Sequence, residues 1–222
     1  MKDFIITIDG ASSSGKSTLA KGLAKHFGFK HIDSGAMYRA LTHYAMELQL
    51  LGEDCYKIKE LISLLPTIKI DFNSDDFVML NGKVIEGKIR SLEVAKYVSI
   101  IAKESIFRKF MVDRQRELGE RGNVVMDGRD IGSVVFPKAE IKFFLEASID
   151  VRTARRFTEL KEKGDVVSYK EVYDNLAKRD EIDSTRLDSP LVKPTNAIVL
   201  SSQESTSENL LAKAIDEIEK KT

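Results

Sequence analysis

The chain has 222 residues, of which 42% are hydrophobic and 32% are charged, so it is long enough to bury one sizeable core and too apolar to be disordered. Lysine plus arginine and aspartate plus glutamate both number 35, which excludes sequence-independent binding to nucleic acid through an overall basic field. The single Cys55 cannot form an internal disulfide and no apolar run spans a bilayer, so we expect a cytoplasmic protein that binds no membrane.

The first predicted element is a buried strand, FIITIDG, which leads directly into GASSSGKST at residues 10–18. This segment fits the phosphate-loop pattern G-x-x-x-x-G-K-[ST] through Gly10, Gly15, Lys16 and Ser17. In such a loop, backbone N–H groups and the N-terminus of the next helix hold phosphate oxygens. The lysine meets the β- and γ-phosphates, and the serine hydroxyl helps to hold Mg²⁺. We therefore predict that the chain binds a nucleoside triphosphate.

The loop does not decide whether water or a substrate oxygen receives the phosphate. A GTPase usually carries an N-K-x-D segment that reads guanine, and the sequence has none. The triphosphate pattern alone therefore leaves an ATPase and a kinase open.

Helical periodicity follows the loop up to Gly28, and it returns in SGAMYRALTHYAMELQL and YKIKELISLL. FKHID, between the first two helices, is predicted as a second strand. The period then changes in TIKIDF, and DDFVML and KVIE flank an Asn81-Gly82 pair typical of a tight hairpin. We therefore predict a small antiparallel insert within residues 66–98.

A helical pattern returns in SLEVAKYVSIIAKESIFRKFMVDRQREL, and NVVMDG, IKFFLEA and NAIVLSS are predicted as further strands. Five strands alternating with helices predict an α/β protein with a parallel, doubly wound sheet. In MDGRDIG, the residues Asp127, Arg129 and Asp130 follow a strand and should project near the phosphate loop. They could hold a metal-bound water, a phosphate and an amino group respectively, or form only a charged surface turn.

Two further clusters of charge each have two interpretations. Arg179, Asp183 and Arg186 share one face of a helix that should begin at a Ser168-x-x-Glu171 capping box, where they could bind an anion or form a solvated ladder of ion pairs. A second cluster is predicted either as a lid over the triphosphate at residues 150–170 or as an exposed basic face; it consists of Arg152, Arg155 and Arg156.

The histidines are scattered, and no metal-ligand pattern connects them. We interpret all three as surface or core residues with no chemical role; they are His26, His31 and His43.

Taken together, IDGASSSGKST, IDSGAMYRAL, VVMDGRDIGSVVFP and KRDEIDSTR resemble the signature segments of the bacterial cytidylate kinase family, in its order and spacing. GKIRSLEVAKYVSIIA is similar to the far end of that family's insert. The resemblance implies a P-loop nucleoside-monophosphate-kinase fold with a five-stranded parallel sheet, built as one domain over 1–222. Within it, the resemblance implies a monophosphate-binding region at 34–112 and a short lid.

The resemblance also implies an activity: ATP and Mg²⁺ as cofactors, CMP and dCMP as acceptors, and a monomer acting in pyrimidine nucleotide metabolism. The residues implied to be catalytic are Lys16, Asp127, Arg129 and Arg186. The residues implied to bind ATP are Gly10, Ala11, Ser12, Ser13, Ser14, Gly15, Lys16, Ser17, Thr18, Arg155 and Arg156, with Ser17 also at the metal.

The acceptor residues are likewise implied by the resemblance. The acceptor phosphate would be bound by Ser34, Tyr38, Arg39 and Arg129. The cytosine would be bound by Ser99, Arg108 and Asp130. The sugar would be bound by Arg179 and Asp183, and Arg186 would lie between acceptor and donor.

Two alternatives remain open from the residues. One is a kinase of the same fold that acts on UMP, AMP or a metabolite. The other is a nucleotide-binding module without turnover, against which the joint presence of Lys16, Arg129 and Arg186 argues.

Overall fold

The computed structural model describes residues 3–203 and 205–221. The strands are β1 Ile5–Gly10, β2 Lys30–Asp33, β3 Ile70–Phe72, β4 Val78–Leu80, β5 Lys83–Val84, β6 Val124–Gly128, β7 Ile141–Glu146 and β8 Ile198–Ser201. The helices are α1 Lys16–Phe27, α2 Ser34–Glu47, α3 Ile58–Leu64, α4 Leu92–Lys103, α5 Ser105–Gly119, α6 Ile149–Glu162, α7 Tyr169–Thr185 and α8 Ser207–Glu219. A 3₁₀ turn at Leu65–Thr67 and a π-helical turn at Ile131–Val135 complete the elements.

The chain divides into two compact units. Unit 1 comprises Met1–His31 and Asn123–Thr222, and unit 2 is the continuous segment Ile32–Gly122. Within the described ranges on either side of residue 204, no helix has both the length and the apolar character needed to cross a membrane.

Unit 1 is built on a five-stranded sheet with the order β2-β6-β1-β7-β8. β1 pairs in parallel with β6 and β7, and β7 pairs in parallel with β8. The predicted parallel sheet flanked by helices is thus confirmed, with all five predicted strands in it. Because the strands are parallel, their carboxyl ends meet at one edge, where ligands of open α/β folds collect.

The core of unit 1 lies between this sheet and the helices α1 and α8. Ile6 and Ile8 of β1 and Phe143 of β7 are fully buried there, against Leu23 of α1 and Ile218 of α8. β1 and β7 are central strands of a parallel sheet whose two faces are covered by helices. This explains why most of their residues are apolar.

Gly10 ends β1 at a position where no side chain fits. Its φ is 154°, and a Cβ on it would overlap the carbonyl oxygen of Leu145 on the neighbouring β7. Gly28, the αL residue that ends α1 with φ 67°, has nothing within 4 Å of such a Cβ. The two glycines are therefore required for different reasons, the first for close approach and the second for conformation alone.

Unit 2 contains the predicted antiparallel sheet, in the order β3-β4-β5. The turn between β4 and β5 is formed by Asn81 and Gly82, with φ of 48° and 81°, the left-handed pair that a tight hairpin needs. Helix α2 packs against α4. Its buried residues include Met37 and Leu41, on the apolar stripe predicted from the sequence.

One helical prediction differs from the structure, and two helices have no counterpart among the predictions. The pattern from Ser91 to Leu118 is interrupted at Glu104, whose extended backbone (ψ 119°) separates α4 from α5. The helices α6 and α8 were not assigned from the sequence. The helix predicted from the Ser168 capping box is confirmed as α7, with both hydrogen bonds of the box present.

We expect Gly10→Ala to lower the free energy of unfolding by about 3 kcal/mol or more, because overpacking against backbone cannot be relieved by a rotamer change. Gly28→Ala is the matched control and should cost only about 1 kcal/mol, the conformational term of an αL residue. Urea unfolding of both variants measures the difference. Equal losses would show that β7 moves aside and that Gly10 is not constrained by close approach.

Candidate active site

The phosphate loop joins β1 to α1 at the carboxyl edge of the unit 1 sheet. Gly15 adopts the left-handed conformation (φ 95°) as the N-cap of α1, so Lys16 is the first helical residue. The Lys16 ammonium donates to the Ala11 carbonyl at 2.5 Å and lies 3.4 Å from the Ser14 hydroxyl oxygen. Burial and then the positive charge of Arg129 lower the pKa of Lys16 well below its usual value. An anion bound at the loop would raise the pKa of Lys16 again.

The loop is held in place by residues far away in the sequence. The Ser202 hydroxyl donates to the Ser14 carbonyl at 2.8 Å, and Arg155 donates to the Ser202 hydroxyl at 3.0 Å and to its carbonyl. Arg152 donates to the Ser12 carbonyl at 3.2 Å. These contacts fix the loop through its carbonyl groups.

The three arginines at the start of α6 have different surroundings. Arg152 is buried; it also donates to the Ala147 carbonyl at 3.1 Å and pairs with Asp180 at 2.7 Å. Arg156 pairs with Glu159 at 2.8 Å along α6. The sequence groups Arg152 with its neighbours as one cluster, but the structure makes it a buried support of the loop.

Arg129 connects the phosphate loop to the C-terminal end of α7. Its guanidinium donates to the Ser12 hydroxyl at 2.7 Å and to the Asp183 carboxylate at 2.8 Å. Asp183 also pairs with Arg186 at 3.3 Å, and Arg186 lies 3.9 Å from Asp130. Four predicted site residues of unit 1 are thus brought together beside the loop.

Charge pairing in this cluster exceeds the cost of burial. Burial raises the pKa of Asp183, but the charges of Arg129 and Arg186 lower it further, so the net shift is downward. Burial likewise opposes the charge on Arg129, yet Asp183 holds its pKa above the usual value. Both groups are therefore charged near neutral pH. In the predicted ladder of Arg179, Asp183 and Arg186, the pair formed by Asp183 and Arg186 is largely buried, with side chains 14% and 6% exposed.

Asp127 lies at the end of β6 between two hydrogen-bond donors. One carboxylate oxygen accepts from the Ser17 hydroxyl at 2.8 Å, and the other lies 2.8 Å from Nε2 of His31. His31 is 1% exposed, which agrees with its interpretation as a core residue, but its contact with Asp127 was not predicted from the sequence. His26 is exposed, and His43 pairs with Glu47 on α2.

Ser17 and Asp127 offer only oxygen atoms to a cation, which is the donor type that Mg²⁺ prefers. In the parts of the chain that the structure describes, no group of three or more His, Cys, Asp and Glu side chains could hold a metal by itself. A magnesium ion bound here would therefore need phosphate oxygens and water as its other ligands. This pair of residues fits that requirement.

Asp9, directly before the loop, has no counterpart among the predicted site residues. Its two carboxylate oxygens accept the backbone N–H groups of Ile131 and Gly132 at 2.8 and 2.7 Å. Burial raises the pKa of Asp9 from 3.8 to about 7; the two N–H groups oppose this rise, and nearby Asp130 adds to it. Asp9 thereby ties the segment that carries Arg129 and Asp130 to the end of β1.

The predicted acceptor residues of unit 2 lie on three helices. Ser34, Tyr38 and Arg39 are on α2, Ser99 is on α4 and Arg108 is on α5. The Arg108 guanidinium lies 5.6 Å from the centre of the Tyr38 ring, and it donates to the Ala102 carbonyl at 3.1 Å.

Ser34 starts α2 directly after Asp33. The Asp33 side chain caps that helix by accepting from the N–H of Ala36, and it also pairs with Arg90. The N-terminal turn of α2 is thus held by residues of unit 2 itself.

We expect the raised pKa of Asp9 to make stability depend on pH. Between about pH 4 and 7 the folded state holds a proton that the unfolded state has lost, so stability falls as pH rises through this window. The wild type should lose roughly 3 kcal/mol between pH 5 and 8 relative to Asp9→Asn. Urea unfolding across this range measures the difference, and Asp113→Asn, at an exposed position of α5, is the control. Parallel pH profiles for wild type and Asp9→Asn would show that Asp9 stays ionised.

Comparison with known proteins agrees with the resemblance. The family model described as cytidylate kinase matches residues 6–220. A cytidylate kinase of Flavobacterium johnsoniae is 46% identical, covering 97% of this chain and 96% of its own length. One of Parabacteroides distasonis is 45% identical, with coverages of 99% and 98%, and one of Caldanaerobacter subterraneus subsp. tengcongensis is 42% identical, with coverages of 98% and 95%.

Solved structures of lower identity share the fold. A Eubacterium ventriosum protein superposes with a TM-score of 0.53 at 16% identity, covering 98% of this chain and 99% of its own. A Thermus thermophilus protein gives 0.52 at 19% identity, with coverages of 98% and 96%. The match over nearly the whole length to the family model and to these relatives shows that the chain belongs to the cytidylate kinase family.

Proposed function

We propose that this protein transfers the γ-phosphoryl group of ATP to the 5′-phosphate of CMP and dCMP, with Mg²⁺ as the cofactor. Membership of the cytidylate kinase family supports the acceptor. The observation that supports the chemistry is the contact of Arg129 with both Ser12 of the phosphate loop and Asp183, which holds its positive charge beside the loop.

The donor would bind at residues 10–18. Backbone N–H groups of the loop and the N-terminus of α1 would hold the phosphates, with Lys16 on the transferred group. The Ser17 hydroxyl and Asp127 would hold Mg²⁺, directly or through water, and the ion neutralises charge on the phosphates when bound. Arg155, which is exposed and donates to Ser202, and Arg156, which is half-buried and pairs with Glu159, would contact ATP from a lid at residues 150–170.

Different residues would bind the phosphate, the sugar and the base of the acceptor. Ser34, Tyr38, Arg39 and Arg129 would bind its phosphate, and Arg179 and Asp183 its sugar. Ser99, Arg108 and Asp130 would bind the cytosine. Arg186 would act on the phosphoryl group in transfer.

Phosphoryl transfer asks little covalent chemistry of a protein, so catalysis depends on position and charge. Arginine suits this task because its planar group donates two parallel hydrogen bonds and stays charged. The ion pairs of Arg129 and Arg186 with Asp183 hold both groups in one orientation before a substrate arrives. Preorganised charge of this kind needs no rearrangement during the reaction.

We further propose that the enzyme acts as a monomer in the cytoplasm, which the composition and the family expectation support. The family name points to CMP as the acceptor. The rival acceptors to test are UMP, AMP and other metabolites. A binding module without turnover is the rival from another class.

A screen of acceptors with ATP and Mg²⁺, followed by coupled release of ADP, tests the proposal. CMP and dCMP should be used with a kcat/KM at least tenfold above that of UMP or AMP.

Lys16→Ala should retain less than a tenth of wild-type turnover, a loss above ~1.4 kcal/mol of transition-state stabilisation. Lys25→Ala, at an exposed site on the same helix, is the control and should keep full activity. Preference for another acceptor would refute the substrate, and absence of turnover would favour the binding module.

In the proposed function, Asp130 determines the choice of cytosine over uracil. Cytosine presents an amino donor where uracil presents a carbonyl oxygen, so a buried carboxylate at Asp130 would accept from the first and repel the second. Asp130→Asn should lower kcat/KM for CMP by about 100-fold and raise the UMP/CMP ratio.

Asp174→Asn, the same change at an exposed position of α7, is the control and should change neither quantity. The decisive quantity is the ratio. A fall by the same factor for both acceptors would mean that Asp130 does not read the base.

A further inference from the structure

We propose that His31 is a positioning residue for the metal site: its ring N–H holds Asp127 so that the other carboxylate oxygen faces Ser17. The inference rests on the proposed function for the identity of the nucleotide. It concerns a histidine to which neither the sequence motifs nor the family resemblance gives a role.

The geometry places the ring and the carboxylate in direct contact. His31 is on β2 and Asp127 is on β6, the neighbouring strand of the unit 1 sheet. Nε2 lies 2.8 Å from Oδ1 of Asp127, and both side chains are nearly inaccessible, with 2% and 4% exposed. The proposed contact uses the tautomer in which Nε2 carries the proton, so that the ring N–H donates and the carboxylate oxygen accepts.

The second oxygen of the same carboxylate is engaged on the opposite side. Oδ2 of Asp127 accepts from the Ser17 hydroxyl at 2.8 Å, and Ser17 lies in the first turn of α1. Two donors, one to each oxygen, therefore fix the plane of the carboxylate.

This division matters because the terminal torsion of aspartate is soft. Without a partner on Oδ1, the carboxylate could rotate over a broad range and present either oxygen to Ser17 or to a cation. A hydrogen bond from a buried ring removes that freedom. Carboxylates at metal sites commonly have such partners, and removing them typically weakens metal binding 10- to 100-fold.

A structural role is the alternative, since the same hydrogen bond joins β2 to β6. The two roles differ in what they affect. Loss of a strand contact would lower thermal stability without changing the preference of the folded protein for metal. Loss of positioning would weaken metal binding in protein that is still folded.

Three variants separate the roles. Gln places an amide N–H close to the position of Nε2, Asn carries the same group on a stem one methylene shorter, and Leu removes the donor. The measurement is the dissociation constant of Mn²⁺ for the complex with a non-hydrolysable ATP analogue, by electron paramagnetic resonance. Thermal unfolding in EDTA and analogue affinity in EDTA are recorded alongside.

We expect His31→Leu and His31→Asn to weaken Mn²⁺ binding about tenfold or more, and His31→Gln to stay within about threefold of wild type. Analogue affinity in EDTA should change less than twofold in all three. In an Asp127→Asn background, His31→Leu should have no further effect on Mn²⁺, because the histidine acts through that carboxylate. His43→Leu, at the histidine that pairs with Glu47 on α2, is the control.

The proposal is overturned if all three variants bind Mn²⁺ like wild type, or if Gln weakens it as much as Asn and Leu. Should His31→Leu fail to fold, the Gln and Asn pair still decides. Failure of the wild type itself to bind Mn²⁺ with the analogue would instead contradict the proposed function.

Discussion

Burying the charge of Lys16 is the constraint on which the rest of the site depends. The lysine is 6% exposed, and another cation, Arg129, faces it. Three carboxyl groups act in the opposite direction and favour the charged form of Lys16: those of Asp127, Asp9 and Asp183. Each of these residues also makes a hydrogen bond or ion pair that positions another part of the site. Replacing one of them would therefore change both the charge around Lys16 and the geometry of the site.

Each of the three carboxylates also contacts a different part of the site around the loop. Asp183 orients two arginines, Asp127 contacts Ser17, and Asp9 holds the backbone that follows Asp130. The contacts that hold the loop go to the carbonyls of Ser12 and Ser14 and to the Ser12 hydroxyl. None of these contacts uses a backbone N–H group of the loop, which is the group that phosphate oxygens require. The loop can therefore be rigid and still present its donors.

Motifs and hydrophobic periodicity predicted the elements that have local signals. The five sheet strands, the Asn81-Gly82 hairpin and the capping box at Ser168 all depend on residues close together in sequence. The break at Glu104 has no such signal, because neither glycine nor proline marks it. Helix α8 did have one: Leu210, Ala214 and Ile218 recur every four residues, and all three are buried.

The supports of the site could not be predicted in the same way. Arg152 reaches Ser12 across 140 residues, Ser202 reaches Ser14 across 188, and His31 reaches Asp127 across 96. No short pattern joins such pairs, and only the order of the strands brings them together. Arg129 was predictable because it follows a strand whose end is near the loop in any parallel sheet.

The discontinuity of unit 1 has a consequence for synthesis of the chain. Residues 5–10 are made well before the two strands that flank β1 in the sheet, β6 and β7, whose first residues are Val124 and Ile141. Unit 2 is a continuous segment, so contacts within it can form once Gly122 has been made; the end of β2 is the exception, because β2 pairs with β6. During translation the phosphate-loop segment is therefore present before its sheet can form, whereas unit 2 can already begin to fold. Such delayed pairing over long sequence separations is slow and exposes apolar strands. β1 is therefore an apolar strand that stays without its two neighbours in the sheet until β7 has been made.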